Sequence, residues 1–236
     1  MFKKFKKTQI TINGIAISVT QKRMRSLRLR ISHPDAAIKV SAPLRLSLKQ
    51  IESFIKAKIE WIKNHRQKIL SKKTAAKKFI DGEAHEFLGE KYILKILSTK
   101  KKNQIQIRDN IIEMQLKNYL NLEQKRKLME EFWRLHLKKI VPQYISELEK
   151  KMNVRVAEFG IKKMKTRWGT CNPKARRIWL NLELAKKPLK CLEYLIIHEM
   201  VHLLERKHSK KFYAYMDQFM PNWHECKKQL SHLAID

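Results

Sequence analysis

The chain has 236 residues, enough for one large domain or two small ones, and its 43% apolar content is enough to build a core. Three cysteines, Cys171, Cys191 and Cys226, without any CxxC spacing, exclude a disulfide scaffold and a cysteine-rich zinc finger, and fit a reducing, cytoplasmic compartment. Lysine and arginine outnumber aspartate and glutamate 53 to 22, a net charge of +31 that attracts polyanions such as nucleic acid or, on the blander reading, only keeps a lysine-rich chain soluble.

The basic start, Met1 to Lys7, leads into alternating polar and apolar residues where an export signal needs a continuous apolar stretch. No stretch reaches the length of a spanning helix, so no membrane partner is expected. The strands predicted next are Ile10–Ile12, Ile15–Val19, Leu27–Ile31 and Ala37–Val40, with turn signals at Asn13-Gly14 and His33-Pro34-Asp35. Ser47 is the expected N-cap of one helix over 47–70, carrying Ile51, Phe54, Ile55, Ile59 and Ile62 at helical spacing. A lysine- and alanine-rich connection, a second pair of strands over 79–96 and short strands within 104–116 come next. A helix from about Leu122 to Met152 is expected to be interrupted or kinked at Pro142. A boundary near residue 120 divides a strand-rich N-terminal region, 1–120, from a C-terminal domain, 121–236. In the latter, Val154–Ile161 and Arg177–Leu182 read as strands around a turn at Gly169 to Pro173, and a helix runs from Leu189 to about Arg206. The fold class is α+β, with no internal repeat in the sequence.

Chemistry concentrates in His198-Glu199-Met200-Val201-His202. Residues four apart sit one turn apart on a helix face, so His198 and His202 can present imidazoles to one ion, and two neutral imidazoles suit Zn2+. Glu199, beside the first of them, is placed to take a proton from water on the ion's open side. The HExxH pattern alone arises by chance. Two features strengthen it: apolar flanks (Tyr194 to Ile197, Leu203-Leu204) that would bury three polar side chains, and His208, which can fold back as a third ligand. Glu205, His224 and Glu225 are rival third ligands, less well placed by spacing. His33, His65, His85, His136 and His232 stand among unrelated neighbours and are read as surface or core residues. Cys171 has no identifiable base and is read as a buried thiol.

Thr166-Arg167-Trp168-Gly169-Thr170-Cys171, Ile178-Trp179-Leu180-Asn181, Pro188, the stretch Tyr194 to Glu205 and His208-Ser209-Lys210-Lys211-Phe212 together resemble the YgjP-like, SprT-related metallopeptidases of bacteria. Weaker matches at Ala42-Pro43, Trp61-Ile62, Asp81-Gly82 and Leu88-Gly89 extend the likeness over most of the chain. The resemblance implies a zincin-like catalytic domain, with His198, His202 and His208 as metal ligands and Glu199 as general base. It also places Arg167, Trp168 and Gly169 on a strand edge bordering the cleft. Arg176, Arg177 and Tyr213 join Trp168 as candidate oxyanion donors. The histidine spacing is that of metzincins, but Glu205 stands where those enzymes have glycine and no Met-turn is evident after it. The expected substrate is a peptide or protein. The alternatives are a nucleotide, hydrolysed at a phosphoanhydride bond as connected with YgjP-like proteins for UTP, and nucleic acid bound by a protein whose zinc site is structural. Oligomeric state is not set by the sequence.

Overall fold

In a computed structural model, which describes residues 5–32, 35–71 and 77–232, the period-two segments become strands. β1 (Phe5–Ile12) and β2 (Ile15–Lys22) are joined by Asn13-Gly14, both at positive φ (49° and 73°), the I′ geometry whose twist suits a hairpin. β3 (Arg28–Ile31) and β4 (Ile38–Pro43) complete a sheet of order β1-β2-β4-β3, antiparallel at both sides and parallel between β2 and β4. Part of the turn between β3 and β4, His33-Pro34, lies outside the described residues.

One face of this sheet buries Ile15, Ile17, Val19, Ile38 and Val40 against Ile51, Ile55 and Ile62. The helix expected over 47–70 is two helices, α1 (Leu48–Ala57) and α2 (Ile59–Ser71). α1 opens on a capping box: the Gln50 amide donates to Ser47 Oγ at 3.2 Å and the Ser47 amide to Gln50 Oε1 at 2.9 Å. It closes at Lys58, whose amide turns back to Ile55 O at 3.0 Å. No glycine or proline announces that break; Ile55 and Ile62 on either side of it share one core.

The chain divides into two compact units, Met1–Ala76 and Lys77–Asp236, well before the boundary expected near residue 120. The reason is shared burial: Phe87, Leu94, Ile112 and Met114 join Met129, Trp133 and Leu137 in the core that also holds the C-terminal helices. Strands in 84–116 therefore belong with the C-terminal helices.

These strands are β5 (Ala84–Phe87), β6 (Glu90–Ser98), β7 (Gln104–Arg108) and β8 (Ile111–Leu116). Their order, β5-β6-β8-β7, and their antiparallel, parallel, antiparallel pairing repeat the topology of the first sheet, including an Xaa-Gly hairpin turn at Leu88-Gly89 (φ 51° and 92°). The repeat is one of topology, carried by different residues.

α3 (Leu122–Met152) starts at an Asn121–Gln124 capping box and runs uninterrupted through Pro142 to Asn153 in the left-handed region. Beyond it lie β9 (Glu158–Lys162), β10 (Gly169–Asn172) and β11 (Arg177–Asn181), in the order β10-β11-β9. Gly169–Asn172, expected as a turn, is thus an edge strand; the turn is Pro173 to Arg176, closed by the Arg176 amide on Pro173 O at 3.3 Å. A short 3-10 turn (Leu182–Lys186), α4 (Leu189–Val201), α5 (Lys210–Phe219) and α6 (Trp223–His232) finish the α+β architecture. No helix among the described residues is long and apolar enough to cross a membrane.

Candidate metal centre

α4 is apolar on most sides. Leu192, Tyr194 to Ile197, Met200 and Val201 are buried, and so is Glu199, 4% exposed. Its start is seated by the β5–β6 turn: Gly89 lies so close to Pro188 that an added Cβ would come within 2.8 Å of the ring, and the Leu88 amide donates to Ala185 O at 2.7 Å. Its end comes at Val201, earlier than Arg206. The Leu203 and Leu204 amides tighten onto Met200 O and Val201 O, both at 2.9 Å, and His202 is the helical residue that caps it. This early stop gives the chain room to turn back before Ser209 caps α5, and His208 sits in that return.

His198, His202 and His208 converge. One ligand atom from each lies within 4.8 Å of the others. His198 Nε2 and His208 Nε2 are 3.2 Å apart, close to the roughly 3.3 Å that separates two nitrogens bound about 2.0–2.1 Å from a tetrahedral zinc. His202 Nδ1 is 3.2 Å from Glu205 O, a hydrogen bond that leaves Nε2 as the free donor atom. Phe212, fully buried, packs its ring 4.7–5.0 Å from all three imidazole centroids and so fixes their tilt. Three nitrogen donors with one open side fit a Zn2+ ion.

Residues 25–233 match the family described as YgjP-like, metallopeptidase domain. The chain belongs to that family. Among solved structures, this YgjP-like chain is similar to the metallopeptidase zymogen of Pyrococcus abyssi abylysin, at 18% identity and a TM-score of 0.36 over 39% of this chain and 91% of that one. It is also similar to Wss1 from Saccharomyces cerevisiae, at 24% identity and 0.34 over 40% and 80%. None of the curated proteins compared with it matches.

Electrostatics in the YgjP-like site arise from burial. The His198 imidazole is pushed down to about 3, first by burial and then by the charges of His202, His208 and Lys227. His202 is lowered for the same leading reason. Both rings are therefore neutral near pH 7, the form that binds a metal. Burial drives the Glu199 carboxyl up to about 8, and Arg167 pulls the other way.

Of the candidate cleft residues, Gly169 stands closest to the chemistry: a Cβ there would meet Glu199 Oε1 at 2.5 Å, so only glycine lets β10 lie against that carboxylate. Arg167 and Trp168 precede it on a segment tied down by Asn181, which is fully buried. The Asn181 side-chain amide donates to Met164 O (2.9 Å) and Arg167 O (2.8 Å), its Oδ1 accepts from the Met164 and Glu183 amides (both 3.2 Å), and its own backbone amide donates to Trp168 O (2.8 Å). Tyr213 stacks near His208, with ring centroids 6.4 Å apart, and Lys227 covers both Tyr213 and Trp223. Arg176 lines a separate depression of about 450 Å³ with Arg155, Leu203 and Leu204. Arg177 is turned to Glu158 at 3.2 Å.

The rival ligands are engaged elsewhere. Glu205 Oε1 accepts from the Lys207 amide at 3.0 Å, His224 stacks on Trp223, and Glu225 faces Lys190 at 3.9 Å. His65 stacks on Trp61, His85 bonds Glu83 and His136 meets the edge of Phe87; His33 and the side chain of His232 lie outside the described residues. Cys171 is in β10 with its thiol pushed up to about 12 by burial and by Glu199, an inert sulfur. Sequence reasoning quotes Phe212 and Asn181 within the family motifs but gives them no role, and misses Lys227. An asparagine ending the apolar Ile178-Trp179-Leu180 stretch and an aromatic four residues after His208 were the available signals.

Proposed function

We propose that this protein is a zinc-dependent peptidase in which His198, His202 and His208 hold the metal and Glu199 is the general base. The observation that carries the reading is the convergence of three imidazole nitrogens within 4.8 Å beside a carboxylate that is 4% exposed. Bound Zn2+ supplies Lewis acidity toward a carbonyl and brings the ionisation of water toward neutral pH.

The chain's own residues do the rest. Burial lifts the Glu199 carboxyl above the ordinary carboxylate range, so it holds a proton more tightly than an exposed glutamate; a divalent cation held beside it would draw it back toward the ionised form, which can accept a proton from water and return it to a leaving amine. Gly169 gives that carboxylate its space. Among the described residues β10 pairs with β11 alone, so its other edge has no strand beside it. Because Trp168 O accepts from the Asn181 amide, the antiparallel alternation leaves the backbone groups of Gly169 and Cys171 on that open edge, where an extended peptide can pair. Compartment belongs to the same reading: three free thiols suit a reducing cytoplasm.

The test is cleavage of a mixed peptide library by the purified protein, with metal content measured in parallel. Glu199→Gln should keep its metal and lose turnover by about 10²–10⁴-fold. Chelation should abolish cleavage and Zn2+ restore it. Full-rate cleavage by metal-free protein or by Glu199→Gln overturns the reading, and release of phosphate from nucleoside triphosphates without peptide cleavage replaces it with phosphoanhydride hydrolysis.

A further inference from the structure

The first sheet packs one face on α1 and α2, and its register fixes what the other face presents. Lys7 and Gln9 of β1 lie opposite Thr20 and Ser18 of β2, which lie beside Ser41 and Lys39 of β4, which pair with Arg28 and Arg30 of β3. Lys22 is on the same face, opposite Phe5. All five cations, Lys7, Lys22, Arg28, Arg30 and Lys39, are exposed, and among the described residues none has an acidic partner. No Asp or Glu occurs anywhere before Asp35.

This charge is not imposed by the topology. The second sheet has the same strand order and pairing, yet its corresponding face sets Lys95 beside Glu113, and Glu113 also faces Arg108 at 3.6 Å. Nor is it the chain's average: residues 1–76 carry 19 Lys and Arg against 3 Asp and Glu, whereas residues 77–236 carry 34 against 19.

We propose that the outward face of the β1-β2-β4-β3 sheet binds the phosphodiester backbone of a nucleic-acid duplex through Lys7, Lys22, Arg28, Arg30 and Lys39. Three strand intervals make the face about 14 Å wide and alternate residues along a strand stand about 7 Å apart, so the cations form a regularly spaced array. Gln9, Ser18, Thr20 and Ser41 between them can hydrogen-bond phosphate oxygens. A protein partner would call for an apolar centre and a membrane for several large apolar side chains to insert. Phe5, at the edge under Lys7, is the one large apolar residue on the face among the described residues. Single-stranded nucleic acid would call for a row of aromatic platforms, which the face lacks. A hydrated, densely charged backbone requires none of these.

The experiment is fluorescence anisotropy of a mixed-sequence DNA duplex titrated with the full-length protein between about 50 and 200 mM salt. Five phosphate contacts give a slope of log affinity against log salt of roughly −4 to −5. Arg28→Gln, Arg30→Gln and Lys39→Gln combined should flatten that slope by two to three and weaken binding on every sequence, with Arg30→Gln alone giving about a third of the change. Removing three charges from the second sheet (Lys91→Gln, Lys95→Gln, Arg108→Gln) should leave the slope within one. An equal loss in that second variant overturns the proposal in favour of diffuse charge. Absent binding at about 150 mM salt, or binding confined to phosphatidylserine vesicles, also overturns it. Unchanged melting temperatures and peptide turnover in these variants separate the result from folding and from the metal centre.

Discussion

Glu199 and Gly169 define each other. The carboxylate is buried in an apolar helix, and the strand beside it carries the one residue type whose side chain does not collide with it. Gly169→Ala should therefore displace the carboxylate, costing about 1–3 kcal/mol of stability and lowering peptide turnover by at least tenfold while metal content stays normal. Gly82→Ala is the contrast: φ there is +78° with nothing within 4 Å of an added Cβ, so it should cost about 1 kcal/mol through backbone strain alone and leave turnover intact. Melting curves and turnover on the same preparations decide it. Family resemblance puts Gly169 at a cleft border without giving the reason. HExxH is legible because a helix fixes i, i+4 geometry locally, and His208 because a ligand shortly after that helix can fold back toward it. What Gly169 touches depends on how β10 packs against α4, which no local pattern encodes.

Elements are legible where one interaction type decides them. Alternation finds β2, β4 and β11, and Ser47 reads as a cap because capping is a local bond. Those set by tertiary contacts are misread from sequence. Gly-Thr-Cys-Asn-Pro has turn composition, yet becomes a strand because Asn181 holds the segment before it in place. α4 stops at Val201 in a stretch without Gly or Pro, because the segment from His202 to His208 turns back toward the site. The dependence on Asn181 is testable. Asn181→Ala strands the carbonyls of Met164 and Arg167 and the amides of Met164 and Glu183; each lost hydrogen bond costs about 0.5–1.5 kcal/mol, and the buried Glu183 amide left unpaired costs about 1–3 kcal/mol. Amide exchange in residues 164–172 should speed up while the interior of α4 keeps its protection, and turnover should fall with zinc content unchanged. If β10 amides stayed as protected as in the wild type, the asparagine would be a local cap and not the anchor of the edge strand.

At the scale of the whole molecule, the boundary expected near residue 120 rests on a change of pattern, strands before and a long helix after, whereas cores are divided by what is buried together. The second sheet's membership of the C-terminal unit has a pH signature. His85 in β5 is 3% exposed, held 2.9 Å from Glu83 and against the ring of Phe79. Burial, above all, lowers its pKa from the ordinary 6.5. Burial pushes the Glu83 carboxyl up, but the amides of Lys78 and Phe79 and the nearby His85 together hold it below its ordinary 4.5. Both groups thus bind fewer protons folded than unfolded. The stability His85 contributes is complete above pH 6.5 and is lost as pH falls through its lower folded value; Glu83 does the same below 4.5. With the same excess of Zn2+ for both proteins, so that the acid sensitivity of the metal site itself is common to them and cancels in their difference, melting temperature should fall on acidification from pH 7 to 5, and His85→Gln should lower it at pH 7 while making that slope less steep than in the wild type. A variant that kept the full slope would move the acid sensitivity to His136, the other imidazole among the described residues that burial holds below its ordinary value away from the metal centre.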